Sequence, residues 1–140
     1  MVLELVIFTG LPGSGKSTYY REHFAATHVH VSKDLMPNAR GREDRQRMQI
    51  EAALAAGRSV VVDNTNPSRD VRAALIAIGR RFGARVIGYY FDVDVRVCIM
   101  RNREREGRAR VPEVAIFTTR KKLQVPELGE GFDELHVIAS

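Results

Sequence analysis

The sequence predicts an α/β fold: a doubly wound parallel five-stranded sheet in a single domain spanning residues 1–140. Three observations lead there. Short β-favouring apolar runs alternate with helical patterns along the whole chain. Val60, Val61 and Val62 stand in a row, as in a strand covered by helices on both faces. The first apolar run passes through a glycine-rich turn directly into a helix. At 140 residues and 44% hydrophobic content there is material for one core and not for two domains.

Taken in order, residues 3–9 form a short apolar run that reads as a buried first strand, and a helix begins at Lys16 or Ser17 and runs to Phe24. Residues 28–32 favour a second strand, which ends at Ser32-Lys33-Asp34. A polar stretch at 37–42 breaks the pattern before a helix over 43–56, with Gly57 suited to its C-terminal cap. The third strand covers 59–63. After the loop 64–67, Ser68 caps a helix whose apolar face is read as Val71, Ala74, Leu75 and Ile78, and Gly83 closes it. Residues 85–91 make the fourth strand. Asp94 caps a helix with Val95, Cys98 and Ile99 on its core side, and a basic stretch at 101–110 follows. Pro112 suits the first turn of a helix that continues to about Leu123, and 134–139 is the last strand.

The turn after the first strand carries the clearest chemistry. Gly10, Gly15, Lys16 and Ser17 stand at the spacing of a P-loop. Glycines let the backbone approach a polyphosphate with several N–H groups aimed into one anion nest, and the following helix N-terminus adds its dipole. Lys16 supplies a point charge for the β- and γ-phosphates, and the Ser17 hydroxyl is a hard oxygen ligand for Mg²⁺. Gly13, Ser14, Gly15, Lys16, Ser17 and Thr18 are therefore the expected contacts for a nucleoside triphosphate and its Mg²⁺.

In an open parallel sheet, ligands bind beyond the carboxyl ends of the strands, and Asp34 and Asp63 leave the second and third strands at that edge. Asp63 has two readings: a carboxylate that orders Ser17 or a Mg²⁺ water, or a turn aspartate bonding its own loop. Thr65 and Asn66 are neutral donors for an acceptor phosphate or sugar, or simply loop formers. Asp34 is placed to take the proton of an attacking alcohol, the alternative being a helix cap. Arg101 and Arg105, four apart, are read as sharing one helix face, either over the transferring phosphoryl group or in solvent. Asp92-Val93-Asp94 lacks the continuation of a phosphatase motif. His23, His28, His30 and His136 show no metal-ligand spacing and are read as structural, and Cys98 is read as packing.

Composition narrows the classes. A net charge of +5 leans toward anionic partners, although acidic and basic residues are well mixed. A single cysteine excludes an internal disulfide and fits a reducing, cytoplasmic setting. The N-terminal apolar run carries Glu4 and no basic leader, so no signal peptide is expected, and no run approaches membrane-spanning length.

Gly-Leu-Pro-Gly-Ser-Gly-Lys-Ser-Thr, Ser-Lys-Asp at 32–34, Asp-Asn-Thr-Asn-Pro at 63–67, Arg-Asn at 101–102 and Glu-Gly-Phe at 130–132 follow one another in order. In this the chain resembles the kinase domain of polynucleotide 5′-hydroxyl kinases, the phage and animal end-healing enzymes of the P-loop kinase superfamily. The resemblance spans nearly the whole chain, and Asp-Asn-Thr-Asn-Pro after the third strand is its most selective part. It implies a P-loop kinase fold with ATP and Mg²⁺ as cofactors. Lys16 and Ser17 would bind phosphates and metal, Asp34 would be the general base, Asp63 and Thr65 would face the acceptor, and Arg101 and Arg105 would belong to a lid. It also implies a nucleic acid 5′-OH end as acceptor, with a repair phosphatase or ligase acting from another chain. Two features depart from the family pattern. Pro37 stands where the phage-type enzyme has an acceptor-gripping arginine, with Arg40 near but out of register, and the lid has one extra residue between Arg105 and Pro112.

The reading is therefore an ATP-dependent kinase that phosphorylates the 5′-hydroxyl of DNA or RNA. Its rivals are a kinase of the same fold acting on a small metabolite or antibiotic, and a nucleotide-binding module without catalysis.

Overall fold

A computed structural model of the chain describes residues 2–36 and 40–139. The Pro37 departure lies outside the described residues. Five strands, β1 (Glu4–Gly10), β2 (Val29–Val31), β3 (Val60–Val62), β4 (Arg85–Asp92) and β5 (Glu134–Ala139), form one sheet in the order β2-β3-β1-β4-β5. All four pairings are parallel. The helices between them are α1 (Lys16–His23), α2 (Arg42–Ala55), α3 (Arg69–Arg81), α4 (Val95–Arg103) and α5 (Glu113–Lys122). This is the doubly wound single-domain architecture that the alternation of patterns predicts.

Register explains the valine triplet. Val6 pairs with Val61 and Ile87, and this row faces α1 together with Phe8, Tyr20 and Phe91. Leu5, Ile7, Val60 and Val62 point to the other face, where Ile50 and Leu54 of α2 and Leu75, Ile76 and Ile78 of α3 cover them. Both faces of the central strands are thus dry: Leu5, Val6 and Phe8 are fully buried. Each such side chain contributes on the order of 1.5–3 kcal/mol of transfer free energy. A third cluster, Leu11, Val93, Cys98 and Ile116, fastens α4 and α5 beside the phosphate-loop end of the sheet.

Local chemistry sets the element ends. Ser68 accepts from the Val71 N–H and Asp94 from the Arg96 N–H, the two caps expected from sequence. Gly57 and Gly83 take positive φ just past α2 and α3.

Two sequence expectations are corrected. The inner face of α3 is not Val71, Ala74, Leu75 and Ile78. Val71 and Ala74 are exposed, and the buried set is Arg72, Leu75, Ile76, Ile78 and Gly79. The helix is turned because Arg72 is needed inside, where it pairs with Glu130. Second, α4 ends at Arg103, so Arg105 lies past the helix instead of one turn along it from Arg101. The chain leaves the helix there because the buried Asn102 holds the returning strand of the loop: its Nδ2 donates to Val111 O at 2.7 Å and its Oδ1 accepts from Val111 N at 2.9 Å.

Candidate functional site: a phosphate loop between two cavities

β1 runs into the turn 10–15, and α1 begins at Lys16. Gly13 and Gly15 both have positive φ, 84° and 97°. A Cβ on Gly13 would stand 2.6 Å from the Cys98 carbonyl oxygen, so no other residue fits between the loop and α4. Gly15 is the N-terminal cap residue of α1 and has no side chain to occupy the first-turn N–H groups, which leaves them for an anion.

Lys16 is buried and folded over the turn. Its Nζ donates to Gly10 O at 3.0 Å, Leu11 O at 2.7 Å and Ser14 Oγ at 3.3 Å. Burial pushes the ammonium down, and Asp63, the strongest opposing influence, only partly restores it; the outcome is a pKa of about 8 instead of 10.5. Asp34 and Arg105 border the same cavity as Lys16 and Asp63.

Asp63 follows β3 and is nearly inaccessible, at 3% exposure. Its Oδ2 accepts from Ser17 Oγ at 2.7 Å and from His30 Nε2 at 2.8 Å. Of the two sequence readings of Asp63, the contact to Ser17 is the one the geometry displays. Hard oxygens of a hydroxyl and a carboxylate side by side suit Mg²⁺ better than a soft or borderline metal. Asp34 lies in the 3-10 turn Lys33–Leu35, exposed toward the same cleft. The cap of that turn is Ser32, whose Oγ accepts from the Asp34 N–H, so Asp34 itself is not the cap.

The loop 64–67 divides its residues. Thr65 is half-buried and lines the cleft, and its carbonyl accepts from Gly10 N at 3.1 Å, tying this loop to the phosphate loop. Of the two readings of Asn66, acceptor donor or loop former, the geometry displays the loop former, although the residue also borders the smaller cavity. It is 3% exposed, its Nδ2 donates to Phe8 O at 2.7 Å, and its φ of 39° is the one positive value among described non-glycine residues. Asn64 is likewise occupied, accepting from Lys33 N and donating to Gln46.

Two cavities flank the phosphate loop. One, of about 320 Å³, is lined by Lys16, Ser17, Asp34, Asp63, Thr65 and Arg105. The other, of about 550 Å³, is lined by Ser14, Gly15, Thr18, Arg101, Arg105 and the end of β5 at Ile138 and Ala139. Arg105 and Gly15 border both. Arg101 Nη1 donates weakly to Gly13 O, at 3.5 Å, and Arg105 Nη1 to Ala109 O, at 3.4 Å. The two arginines therefore meet the same space from different segments, one from α4 and one from the loop that Asn102 closes.

Sequence reasoning missed two residues. The sequence reads His30 as a structural histidine, yet its Nε2 lies 2.8 Å from Asp63 Oδ2; the signal for it is its place on the second strand, four residues before Asp34. Arg72 was overlooked because a charged residue in a helix reads as solvent-facing. It is fully buried and donates to Asn66 O (3.0 Å), Pro67 O (3.1 Å), Gln124 O (2.8 Å) and both oxygens of Glu130 (2.9 and 3.1 Å). Among the described residues no group of three or more His, Cys, Asp or Glu side chains is placed to hold a metal, and no helix is long and apolar enough to cross a membrane.

A parallel sheet with this strand order, a glycine-rich loop opening α1, and a serine–aspartate pair beneath it define a P-loop kinase fold. The chain belongs to the AAA domain family, whose profile matches residues 5–126. It is similar to the bifunctional polynucleotide phosphatase/kinase of Schizosaccharomyces pombe, 27% identical over 139 residues that cover 96% of this chain and 33% of that protein. The chain spans about a third of the length of the first curated relatives it matches. Among solved structures it resembles a fungal RNA kinase, with a TM-score of 0.76 at 14% identity over 100% of this chain and 39% of that one. It also resembles Chaetomium thermophilum Kti12 in complex with ADP-AlF3, with a TM-score of 0.74 at 18% identity over 96% and 88% of the two chains. These structural likenesses speak to the fold. The likeness to polynucleotide kinases read from the motifs reappears in the S. pombe relative.

Proposed function

We propose that the protein is an ATP-dependent kinase that transfers the γ-phosphate to the 5′-hydroxyl of DNA or RNA. The observation that carries the kinase reading is the smaller cavity: an exposed carboxylate, Asp34, opens into the same space as Lys16, Ser17 and Asp63. A protein that only bound a nucleotide has no need of a carboxylate across the cleft from the phosphate loop, whereas transfer needs one to orient the attacking oxygen and take its proton. The choice of a polynucleotide acceptor is supported by the relative whose likeness covers 96% of the chain, and by the loop 63–67.

In this reading the larger cavity takes the nucleoside of ATP, and the loop N–H groups of residues 13–18 hold its phosphates. Ser17, with Asp63 behind it, would hold Mg²⁺, which when bound screens charge on the β- and γ-phosphates. Lys16 must leave its carbonyl partners to reach the phosphates. Asp34 accepts the proton of the attacking hydroxyl and orients it for in-line displacement. Arg105, bordering both cavities, and Arg101 neutralise charge on the transferring phosphoryl group. Most of the acceleration then comes from positioning and charge stabilisation, as phosphoryl transfer requires.

The deciding experiment offers labelled ATP with 5′-OH DNA, 5′-OH RNA and a panel of small alcohols. Label on an oligonucleotide is the expected result. Label only on a small alcohol would transfer the assignment to a metabolite or antibiotic kinase, and no labelled acceptor under any divalent metal would leave a nucleotide-binding module.

A further inference from the structure

His30 sits on β2, next to Val61 of β3 in the sheet. Its ring is held on its face and at its edge. The face stacks on Tyr20 of α1, with centroids 3.9 Å apart and planes 14° apart, and Tyr20 is itself anchored through its hydroxyl, which donates to His28 O at 2.6 Å. At the edge, Nε2 is 2.8 Å from Asp63 Oδ2, the same oxygen that accepts from Ser17 Oγ at 2.7 Å. An ionised carboxylate oxygen only accepts, so Nε2 carries the hydrogen in this contact. The Asp63 side chain is 2% exposed and His30 21%, so water has little access to loosen the arrangement.

The rotation of an aspartate carboxylate about its last bond is broad, and a single hydrogen bond leaves it free to swing. Two donors on one oxygen, fixed to different elements, remove that freedom. With Oδ2 held, the one Ser17 proton is committed to Asp63, and the Ser17 lone pairs are what the hydroxyl presents to the cleft. The geometry points to His30 as a positioning residue for the divalent cation: through Asp63 it sets the direction of the Ser17 oxygen, without itself being a ligand. This rests on the nucleotide and Mg²⁺ half of the proposed function and is independent of the acceptor.

The test measures Mn²⁺ bound by the protein with saturating ADP, read from the paramagnetic resonance signal of free Mn²⁺, for the wild-type chain, His30→Phe and His30→Gln. His30→Phe keeps a ring on Tyr20 and deletes the donor; His30→Gln restores a donor without the ring. Groups bonded directly to a metal ligand are worth about 10–100-fold in metal affinity, and His30 acts one hydrogen bond beyond Asp63, so the low end of that range, a loss of about tenfold, is expected in His30→Phe, with most of it regained in His30→Gln. ADP affinity in EDTA should stay within about twofold of wild type in both variants, because the phosphate nest does not include His30. Wild-type Mn²⁺ affinity in His30→Phe would overturn the assignment. So would an equal loss of metal-free ADP binding, or a His30→Gln chain as defective as His30→Phe, since either makes the residue a packing element. Failure of the underlying reading has a different signature: the wild-type chain itself would bind no ADP in EDTA.

Discussion

In the proposed function, Lys16 is where protonation and nucleotide binding meet. Its ammonium is satisfied by two carbonyls and a hydroxyl yet pushed down to about 8 by burial. A polyphosphate beside it favours the charged form, so the complex holds more protons than the free chain once pH passes about 8. Metal-free nucleotide affinity should therefore fall as pH rises above that point, by up to about tenfold per unit, with proton uptake on binding. Calorimetry in buffers of different ionisation enthalpy reads that uptake, and an affinity flat with pH in this range would contradict the lysine assignment. Asp34 permits a separate check. Asp34→Asn keeps the shape of the side chain and removes the base, so transfer should drop by about 10²–10⁴-fold while nucleotide affinity is retained. Retained transfer would remove Asp34 from the chemistry.

At the scale of elements, the loop 63–67 is held in place by a buried arginine. Arg72 clamps the carbonyls of Asn66 and Pro67 to the segment 124–130 after α5, so the floor of the smaller cavity depends on a contact with residues some 58 positions away. Breaking a buried pair by removing one partner costs about 3–5 kcal/mol, because the other charge stays behind. Arg72→Met should show this as a lowered denaturation midpoint, and the Arg72→Met/Glu130→Met double variant should recover part of it. An additive double variant would mean the two residues do not act as a pair. The clamp is also acid-sensitive. Partial burial pushes the Glu130 carboxyl up, but the hydrogen bonds from Arg72 and the Glu127 N–H, with the Arg72 charge, bring it net below its ordinary 4.5. The unfolded chain thus takes up that proton first as pH falls. The contribution is fully present above about pH 4.5, is lost below it as the folded carboxyl titrates, and should be absent from Glu130→Gln.

The whole molecule brings the segments after β1, β2 and β3 to one edge of the sheet, and the loop after α4 meets them there, which is why residues as distant as Asp34, Asp63 and Arg105 border one cavity. Its formal charge of +5 is modest, so the proposed polynucleotide acceptor would have to be recognised by local contacts near this edge. If the acceptor is a polynucleotide, each phosphate contacted by a basic side chain releases counterions, and log affinity for the acceptor should fall linearly with log salt, with a slope of about −0.7 per contact for single strands. A neutral small acceptor would show almost no such slope. Acceptor KM measured against salt at fixed ATP separates the two.

Much of this protein was legible in its residues. The alternation of periods, the valine triplet and the spacing of Gly10, Gly15, Lys16 and Ser17 determined the fold class and the phosphate loop, because each depends on local backbone geometry and on which faces must be dry. Caps at Ser68 and Asp94 were readable for the same reason. Charged and polar residues were where local reading ended. Arg72 and Asn66 look like surface residues until Glu130 and the Phe8 carbonyl are brought beside them, and His30 acquires its place only when β2 is laid next to β3. Arg105 left the face of Arg101 because Asn102 fastens Val111 nine residues ahead. A buried polar group is tolerated only with its partners in place, and those partners come from segments that folding alone makes neighbours. Sequence determined the loop that receives phosphate; tertiary structure decided which polar side chains face the cleft and which hold its walls.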